Sequence, residues 1–456
     1  MRKDSSGILS HNPERIAIWA SLSGLFTIAR DFASRQKAGK VLFIYKKRSA
    51  IGLIRSWLTA FMMRVEEPGA MLSWEQSPGI ALMRRERAWV EVNLSAIAHN
   101  VQQIRRLLSN QTELMAVVKA DAYGHGATTV AQAALHAGAT WLGVATIPEG
   151  IELREAGIDA PVLVLGANHT PEQIRAIVHW QLQPTLCTPR QALIFADVLA
   201  QTHQPSLSVH LKLDTGMSRL GTDWQAAAEF VQLVQRLPKL RIDSVYSHLA
   251  TAEDPNRTIA KQQQWRFETA IAQINACGIY PPRLHLANSG GTLSDSTFHY
   301  DLVRVGLAIY GLYPADHLKA VLDLQPALQV RARVTQVKTI PPGTGVSYGH
   351  RFVADQERQI AVVAIGYADG VPRNLSNKME AIVRGQRVPQ IGAVTMDQLM
   401  LDVSAIPDLR EGEVVTLLGQ DGNESIAADD WATMLDTISW EILCGFKRRL
   451  PRIAIG

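Results

Sequence analysis

The sequence predicts an α/β fold, a (β/α)8 TIM-like barrel followed by a mainly β C-terminal domain. First, short apolar runs alternate with segments of helical period, and this unit recurs eight times before about Val305. Second, no GxGxxG pattern opens a helix after a strand, which disfavours a dinucleotide-binding sheet. Third, the hydrophobic period changes to two after about Pro326, which is typical of half-buried strands.

The strands and helices of the predicted barrel follow one another along the chain. Eight apolar runs predict its strands: Met115–Lys119, Trp141–Ala145, Pro161–Leu165, Gln183–Cys187, Val209–Leu213, Ile242–His248, Arg283–Ala287 and Leu302–Val305. Segments between them predict helices, among them Ala127–Ala137, Ile147–Ala156, Pro171–Val178, Ala226–Leu237 and Lys261–Cys277. Because eight units favour a closed barrel over an open sheet, we assign residues 85–325 to the barrel.

The remaining third of the chain, residues 326–456, reads as a mainly β domain. Its first strand is predicted over Leu328–Gln336, where apolar and polar residues alternate. Further apolar runs separated by turn residues predict strands at Gln359–Gly366, Glu380–Val383, Gln390–Val394, Met400–Val403, Glu413–Leu418 and Arg452–Ile455. One short helix is predicted at about Ala427–Leu435, and Ala88–Val92 is also strand-like.

The positive charge is concentrated in the N-terminal segment. The chain has 456 residues, 46 Lys and Arg against 42 Asp and Glu, and a formal net charge of +4. Residues 1–65 hold 12 basic and three acidic residues, a balance of +9, whereas residues 66–456 hold 34 basic and 39 acidic residues, a balance of −5. The body of the protein therefore gives no indication of a nucleic-acid partner.

Residues 1–70 are predicted to be a basic extension outside both domains. Their apolar run Ile16–Ala29 has about 14 residues, fewer than the ~20 that span a bilayer, so no membrane span is expected. The Arg-rich, acid-poor composition is typical of a transit peptide or a surface-binding helix. We favour a disordered or mis-started leader, because Met71 and Met83 offer later starts.

Composition places the body among folded proteins of a reducing compartment. Hydrophobic residues make up 47% and charged residues 19% of the chain, which excludes disorder and coiled coil for most of it. The 3 Cys residues are far apart and form no CxxC pair, so neither a disulfide scaffold nor a Cys zinc site is expected. We expect a cytoplasmic protein without a bound metal.

Polar residues cluster where the predicted barrel strands end. Five strands contribute to this set: Lys119, Arg219, His248, Asn288 with Ser289, and Arg304. The carboxyl ends of barrel strands form one rim, where the active sites of such barrels lie. Polar groups from five strands at one rim therefore predict an enzyme active site.

Lys119 is the candidate nucleophile or imine-forming residue. It follows the apolar run Met115–Val118, so its amine is expected in a partly desolvated mouth, where a lysine loses its charge more readily. Read alone, it is more typical of a strand-end lysine that extends to solvent. The following Tyr123–Gly126 turn favours function, because a Gly-rich turn before a helix brings backbone donors and a phenol to a phosphate. His125 by itself is more typical of a turn-stabilising residue than of a base.

Eight motifs, in order along the chain, together resemble the alanine racemase family. They are VVKADAYGHG, LDTGMSRLG, HLATAEDP, ANSGG, RVGLAIYGL, GVSYGH, GYADG and AVTMDQ. The resemblance covers about residues 85–456 and includes both predicted domains. It implies a pyridoxal 5′-phosphate (PLP) enzyme that interconverts L- and D-alanine for peptidoglycan, and a homodimer with shared active sites.

The resemblance assigns the two acid/base residues and the substrate side of the site. Lys119 carries the cofactor and is one acid/base, and Tyr348 is the other, on the opposite face of the substrate. Arg219 lies near the cofactor phenolic oxygen and the substrate carboxylate, which suits a bidentate guanidinium. Met396 and Asp397 belong to the substrate-side loop, and Tyr348 and Met396 are expected to reach the site of the other subunit.

The resemblance also assigns the residues that hold the cofactor. Arg304 faces the pyridine nitrogen. Phosphate binding is assigned to Tyr123, Ser289 and the backbone amides at Gly306 and Leu307. The supporting residues are His248, Asn288, Asp397 and Lys212, the last at a position that is often carbamylated in this family.

Two positions depart from the family pattern, and two rival functions remain open. Thr395 stands where Cys is common, and Arg448 stands where some relatives carry a Tyr near the phosphate and the substrate entrance. Both departures leave selectivity between alanine and serine open. The rivals are a PLP-dependent amino-acid decarboxylase of similar fold and a non-catalytic PLP-binding protein. The first should lack Tyr348 with Met396–Asp397, and the second should lack the β domain.

Overall fold

A computed structural model describes residues 85–203 and 206–456. The predicted basic extension, residues 1–70, lies outside the described residues. Within the described part, the chain folds as a parallel α/β barrel and a mainly antiparallel β domain. No helix among the described residues is long and apolar enough to cross a membrane.

The barrel sheet contains eight parallel strands. They are β2 (Glu113–Val117), β3 (Trp141–Val144), β4 (Val162–Ala167), β5 (Gln183–Leu186), β6 (Leu207–Asp214), β7 (Leu240–Tyr246), β8 (Leu284–His285) and β9 (Leu302–Val305). Their order is β9-β2-β3-β4-β5-β6-β7-β8. Backbone bonds from Asp301 N to Leu284 O and from Arg304 N to Ala287 O, both 3.0 Å, bring the two ends of the sheet together. The predicted (β/α)8 barrel is confirmed.

Eight helices of the described chain accompany the barrel, of which the first precedes the first barrel strand and the other seven each follow a strand. They are α1 (Leu94–Leu107), α2 (Ala127–His136), α3 (Ile147–Glu155), α4 (Pro171–His179), α5 (Pro189–Ala200), α6 (Ala227–Arg236), α7 (Thr258–Ala276) and α8 (Ser289–Ser294). The amphipathic helix α4, for example, buries Ile174 and Ile177 and exposes its opposite face. The strands are buried on both faces, as expected where helices cover a parallel sheet.

Three consecutive helices begin with the same short signal. Helices α3, α4 and α5 each have Thr at the N-cap, Pro in the first turn and Glu or Gln at the third helical position. Thr170 and Thr188 accept hydrogen bonds from the third backbone amide of their own helices, at 3.3 and 3.2 Å. These caps satisfy amides that the helix leaves unpaired, and they fix where each helix starts above its strand.

The β domain is built on a nine-stranded sheet. Its strands are β1 (Ala88–Asn93), β10 (Leu328–Ile340), β13 (Arg358–Val363), β14 (Glu380–Val383), β15 (Gln386–Ile391), β16 (Leu399–Asp402), β17 (Val414–Asp421), β18 (Glu424–Ile426) and β19 (Arg452–Ile455). The order is β18-β17-β14-β15-β16-β13-β10-β1-β19. The hairpin strands β11 (Gly345–Val346) and β12 (Phe352–Val353), with helices α9 (Ala428–Leu435) and α10 (Ser439–Gly445), complete the domain.

Strand β1 belongs by pairing to the β domain, although it precedes the barrel in the chain. It runs antiparallel to β10, with Val90 opposite Val330, and parallel to β19, with Val90 opposite Arg452. Residues 88–93 of the range 85–325 therefore lie in the sheet of the C-terminal domain. In β10, burial alternates from Leu328 to Val334, as the period of two predicts.

Candidate functional site

Lys119 lies just beyond β2, at the start of an unusual turn. The strand ends at Val117, two residues earlier than the apolar run, and Ala120–Tyr123 then have φ between 52° and 54°. Four consecutive non-glycine residues in the left-handed region are strained, so the surroundings must hold them. Hydrogen bonds from Gly126 N to Asp121 O and from Ala127 N to the Asp121 carboxylate, both 2.9 Å, fix the far end of the turn.

The environment of Lys119 favours its neutral amine. Burial lowers the pKa of Lys119, the positive charge of Arg219 lowers it further, and Glu149 opposes both effects. A lysine with a lowered pKa has more free amine at neutral pH, which is the form that attacks a carbonyl.

Further cations surround His248 at the same mouth. Burial and the charge of Arg304 lower the pKa of His248 well below its usual value, with Lys212, Arg219 and Lys119 contributing in that order. Arg304 contacts His248 Nδ1 at 3.2 Å, and both Lys212 and Arg304 lie over the Tyr246 ring, at 4.6 and 5.1 Å from its centre. Such an excess of positive charge suits a ligand with a phosphate and a carboxylate.

Lys212 is buried on β6 inside this cluster. Its ammonium lies 4.6 Å from the centre of the Tyr246 ring. Burial, followed by the charge of Arg304, lowers the pKa of Lys212 to about 7. A large fraction of its amine is therefore unprotonated at neutral pH.

Arg304 is held rigidly by hydrogen bonds to the barrel interior. Its guanidinium donates to Ser247 O at 2.7 Å, to Leu286 O at 3.0 Å and to His285 Nδ1 at 2.9 Å. No carboxylate within the described ranges pairs with Arg304, and the nearby Asp301 carboxylate accepts instead from Leu284 N at 2.7 Å. Burial lowers its pKa to about 10, so it remains a cation at neutral pH.

A buried chain of side chains continues from Arg304. Because arginine only donates, His285 Nδ1 accepts, and its Nε2–H then donates to Ser244 Oγ at 2.8 Å. Ser244 contacts His210 Nδ1 at 2.6 Å, and His210 Nε2 contacts the Gln183 side-chain oxygen at 2.8 Å. The Gln183 oxygen can only accept, so each hydrogen bond in this series has one possible direction. The series therefore fixes the orientation of the Arg304 guanidinium.

Tyr123, Ser289 and Gly306 meet beside the left-handed turn. Gly306 N donates to Ser289 Oγ at 3.0 Å, and Ala308 N contacts the same oxygen at 3.4 Å. A Cβ built at Gly306 would overlap the Tyr123 hydroxyl and lie 3.1 Å from its ring carbon, so only glycine allows this approach. Leu307 continues the same buried turn. These groups form a cradle of hydroxyl and amide donors that suits a phosphate.

Asn288 supports this cradle from the start of α8. Its side-chain oxygen accepts a hydrogen bond from Gly291 N at 2.9 Å and caps the helix that begins with Ser289. Asn288 therefore fixes the start of the helix whose first residue is Ser289. His125 donates through Nδ1 to Ala122 O at 2.9 Å, which agrees with the turn-stabilising interpretation.

Tyr348 and Met396 are exposed on the β domain of the single chain. Their exposed fractions are 73% and 53%. Tyr348 lines a surface groove of about 860 Å³ with Ser347 and Thr395, and every residue of that groove belongs to the β domain. Lys119 is not among the residues of this groove.

The substrate-side loop is tied down by an ion-pair network that sequence analysis missed. Asp397 pairs with Arg449 at 2.6 Å. Arg449 also contacts the buried Asp369 at 3.5 Å, and Arg87 donates to both oxygens of Asp369 at 2.5 and 2.8 Å. Asp369 is the only acidic residue of the GYADG motif. That acidic residue was the one signal in the sequence that could have indicated an ion pair here.

The two departures from the family pattern have clear local roles. The Thr395 hydroxyl donates to Gln398 O at 2.8 Å and accepts from Gln398 N at 3.1 Å, so it closes the turn of the substrate-side loop. Arg448 contacts the Glu152 carboxylate of α3 at 3.4 Å and is largely exposed. In the described part of the chain, no cluster of His, Cys, Asp and Glu could hold a metal ion.

The fold and the mouth define a class of protein. A (β/α)8 barrel presents a lysine with a lowered pKa, several cations and a donor cradle at the carboxyl ends of its strands. This arrangement is that of an enzyme acting on a carbonyl or amino compound that carries negative charge.

Comparison with known proteins narrows this class to one family. Residues 92–314 match the family model for the alanine racemase N-terminal domain, and residues 327–454 match that for the C-terminal domain. The chain belongs to the alanine racemase family, and it is therefore a racemase, an isomerase.

Individual relatives and solved structures agree. The chain is 67% identical over 371 residues to an alanine racemase of Nostoc sp., covering 81% of this chain and 96% of the relative. It is 63% identical to that of Synechocystis sp., covering 82% and 100%. A structure of Bacillus anthracis alanine racemase with bound L-Ala-P matches with a TM-score of 0.77 at 36% identity, covering 82% and 95%.

Proposed function

We propose that this chain interconverts L- and D-alanine with PLP, using Lys119 and Tyr348 as bases on opposite faces of the substrate. The observation that carries the proposal is the pairing of an amine of lowered pKa at Lys119 with a phosphate-type cradle on the adjacent turn. The product D-alanine would serve peptidoglycan synthesis, and a cytoplasmic location fits that role.

The residues of the mouth fit PLP in shape and charge. Because Gly306 has no Cβ, the Tyr123 hydroxyl can lie close to the turn where Gly306 N donates to Ser289 Oγ. Lys119, Tyr123, Ser289, Arg304 and the amides at Gly306 and Leu307 would hold the cofactor. When bound, PLP withdraws electrons from the substrate Cα and makes its C–H acidic.

Lys119 and Tyr348 handle the proton at Cα. The lowered pKa of Lys119 increases the fraction of its free amine, which is the form that accepts a proton. Tyr348 of the partner subunit gives a proton to the opposite face, so the substrate need not turn over. Its 73% exposure in the single chain supports a role in a second subunit. Substrate-side Met396, also exposed, reaches the same shared site in the proposed homodimer.

Arg219 and Arg304 orient the charged groups. Arg219 is proposed to bind the substrate carboxylate, which suits a bidentate guanidinium, and its charge also lowers the pKa of Lys119. Arg304 only donates hydrogen bonds and keeps its proton, so it would leave the pyridine nitrogen of bound PLP unprotonated. His248 and Asn288 keep these cations and the cradle in place, and Asp397 holds the Met396 loop through Arg449.

Lys212 is proposed to be carbamylated. A pKa of about 7 leaves a neutral amine that can add carbon dioxide and release one proton. The resulting anion would offset the charges of Arg219 and Arg304. Lys212→Ala should lose activity that short carboxylic acids restore, and failure of every carboxylic acid to restore it would count against the modification.

The test of the reaction is a circular-dichroism assay of L-alanine with added PLP. Loss of rotation without carbon dioxide release is expected for a racemase. Carbon dioxide release would instead support the decarboxylase, and binding of PLP without any change in rotation would support the non-catalytic protein. Running L-serine beside L-alanine measures the selectivity that Thr395 and Arg448 leave open.

A further inference from the structure

The side chain of Glu149 joins three backbone amides from two barrel strands. One carboxylate oxygen accepts from Ala145 N at 2.7 Å and from Thr146 N at 3.0 Å, where β3 leads into α3. The other oxygen accepts from Ala120 N at 2.8 Å. Ala120 is the residue after Lys119 and the first of the four left-handed residues.

Helices α4 and α5 show how many side-chain oxygens are needed to cap a helix start of this kind. At the same helical position of α4, one oxygen of Gln173 accepts from His169 N at 2.9 Å and from Thr170 N at 3.0 Å. In α5, the single side-chain oxygen of Gln191 accepts from Cys187 N at 2.7 Å. One oxygen is therefore sufficient to cap a helix in this fold, and the second oxygen of Glu149 serves the Lys119 turn.

We propose that Glu149 is a positioning residue that anchors the left-handed turn carrying Lys119 and Tyr123. This inference rests on the proposed function for its link to the cofactor. It assigns to the first turn of α3 a role in the active site, in addition to the role of a helix cap.

The turn needs an anchor because its backbone conformation is unfavourable in free energy. The left-handed residues are intrinsically unfavourable, and the Ala120 amide would lose its acceptor if the second oxygen were removed. The negative charge of Glu149 also lies close enough to oppose the lowering of the Lys119 pKa by burial and by Arg219.

The variant Glu149→Gln separates the two roles. Its one amide oxygen can still cap α3, as Gln173 caps α4, whereas its NH2 group faces the Ala120 amide and cannot accept. Gln173→Ala is the matched control, because it removes a cap from α4 without touching the Lys119 turn.

The measurement is hydrogen exchange by mass spectrometry on the full chain without cofactor, together with fluorescence titration with PLP. In Glu149→Gln, amides of residues 118–126 should exchange about tenfold faster, while those of α3 stay protected as in the wild type. PLP should bind about tenfold more weakly. In Gln173→Ala only the start of α4 should exchange faster.

Two results would overturn the inference. Unchanged exchange of residues 118–126 in Glu149→Gln would make Glu149 a helix cap only, and unchanged PLP affinity would separate the turn from cofactor binding. A wild-type chain that fails to bind PLP would instead reject the proposed function, and the exchange measurement would still report whether Glu149 anchors the turn. If the amides of α3 stay protected in the variant, faster exchange of residues 118–126 does not result from global unfolding.

Discussion

At the scale of single residues, the site contains basic side chains that differ in how readily they lose a proton. Lys119 and Lys212 have lowered pKa values, whereas Arg304 remains protonated at neutral pH. Burial is the largest cause in each case, and the difference follows from the much higher starting pKa of arginine. The same buried mouth therefore provides amines that accept a proton and a guanidinium that does not release one.

Replacing Arg304 with Glu should change which products form. A carboxylate opposite the pyridine nitrogen would stabilise a protonated ring and strengthen electron withdrawal, so the ratio of transamination to racemisation should rise by about tenfold or more. The measurement compares pyruvate formation with loss of rotation. Arg304→Lys, which keeps the positive charge, is the control and should retain the low ratio. An unchanged ratio in Arg304→Glu would contradict this role.

Lys212 should make the unfolding free energy rise with pH. Its pKa is about 7 in the folded chain and about 10.4 when unfolded, so between these values the unfolded state binds more protons. Stability should therefore increase from pH 7 to pH 10 by up to about 1.4 kcal/mol per pH unit from this residue. Urea unfolding without cofactor, in buffer free of carbon dioxide, measures the slope. Lys212→Met should have a smaller slope, and equal slopes would refute the low pKa.

At the scale of elements, the period of hydrophobic residues predicted most of the fold. Helix α3 and strands β14 and β19 lie at or within one residue of their predicted bounds. Helices α1 and α5 are not among the helices named from the sequence. Strand β1 was recognised as a strand, but its pairing with β10 and β19 depends on contacts hundreds of residues apart, which no local pattern contains.

The left-handed turn is the element that sequence reasoning could not predict. Its residues Ala120–Tyr123 include no glycine, and alanine strongly prefers the right-handed region. The conformation is imposed by tertiary contacts, including Glu149 and the close approach of Gly124 to Leu443 O, which a Cβ would meet at 2.5 Å. The capping sequence Thr146–Glu149 was visible, but it predicts only a helix start.

Gly306→Ala tests the cradle as a unit. The added Cβ overlaps the Tyr123 hydroxyl and forces Tyr123 or the turn at Leu307 to move, so PLP affinity should fall by about tenfold or more. Gly445→Ala is the control, because its new Cβ meets only Gly370 O at 3.6 Å. Fluorescence titration measures both variants. Equal affinities would show that the cradle does not bind the phosphate.

At the scale of the whole molecule, the two expected acid/base residues lie on different domains of the single chain. Lys119 lies in the barrel mouth, whereas Tyr348 and Met396 are exposed on the β domain, and the groove of Tyr348 contains no barrel residue. A homodimer in which each β domain completes the partner's barrel would bring the two bases together. It would also bury Tyr348 and Met396, which are exposed in the single chain.

Mixing two inactive variants tests this division. If Lys119 acts with Tyr348 of the partner subunit, a dimer of Lys119→Ala and Tyr348→Phe chains has one site with both defects and one intact site. Random re-association makes about half of the dimers mixed, so activity should return to about one quarter of the wild-type value. Racemisation is measured after joint unfolding and refolding of equal amounts. If both bases came from one chain, no dimer would hold an intact site, and the mixture would remain as inactive as its components.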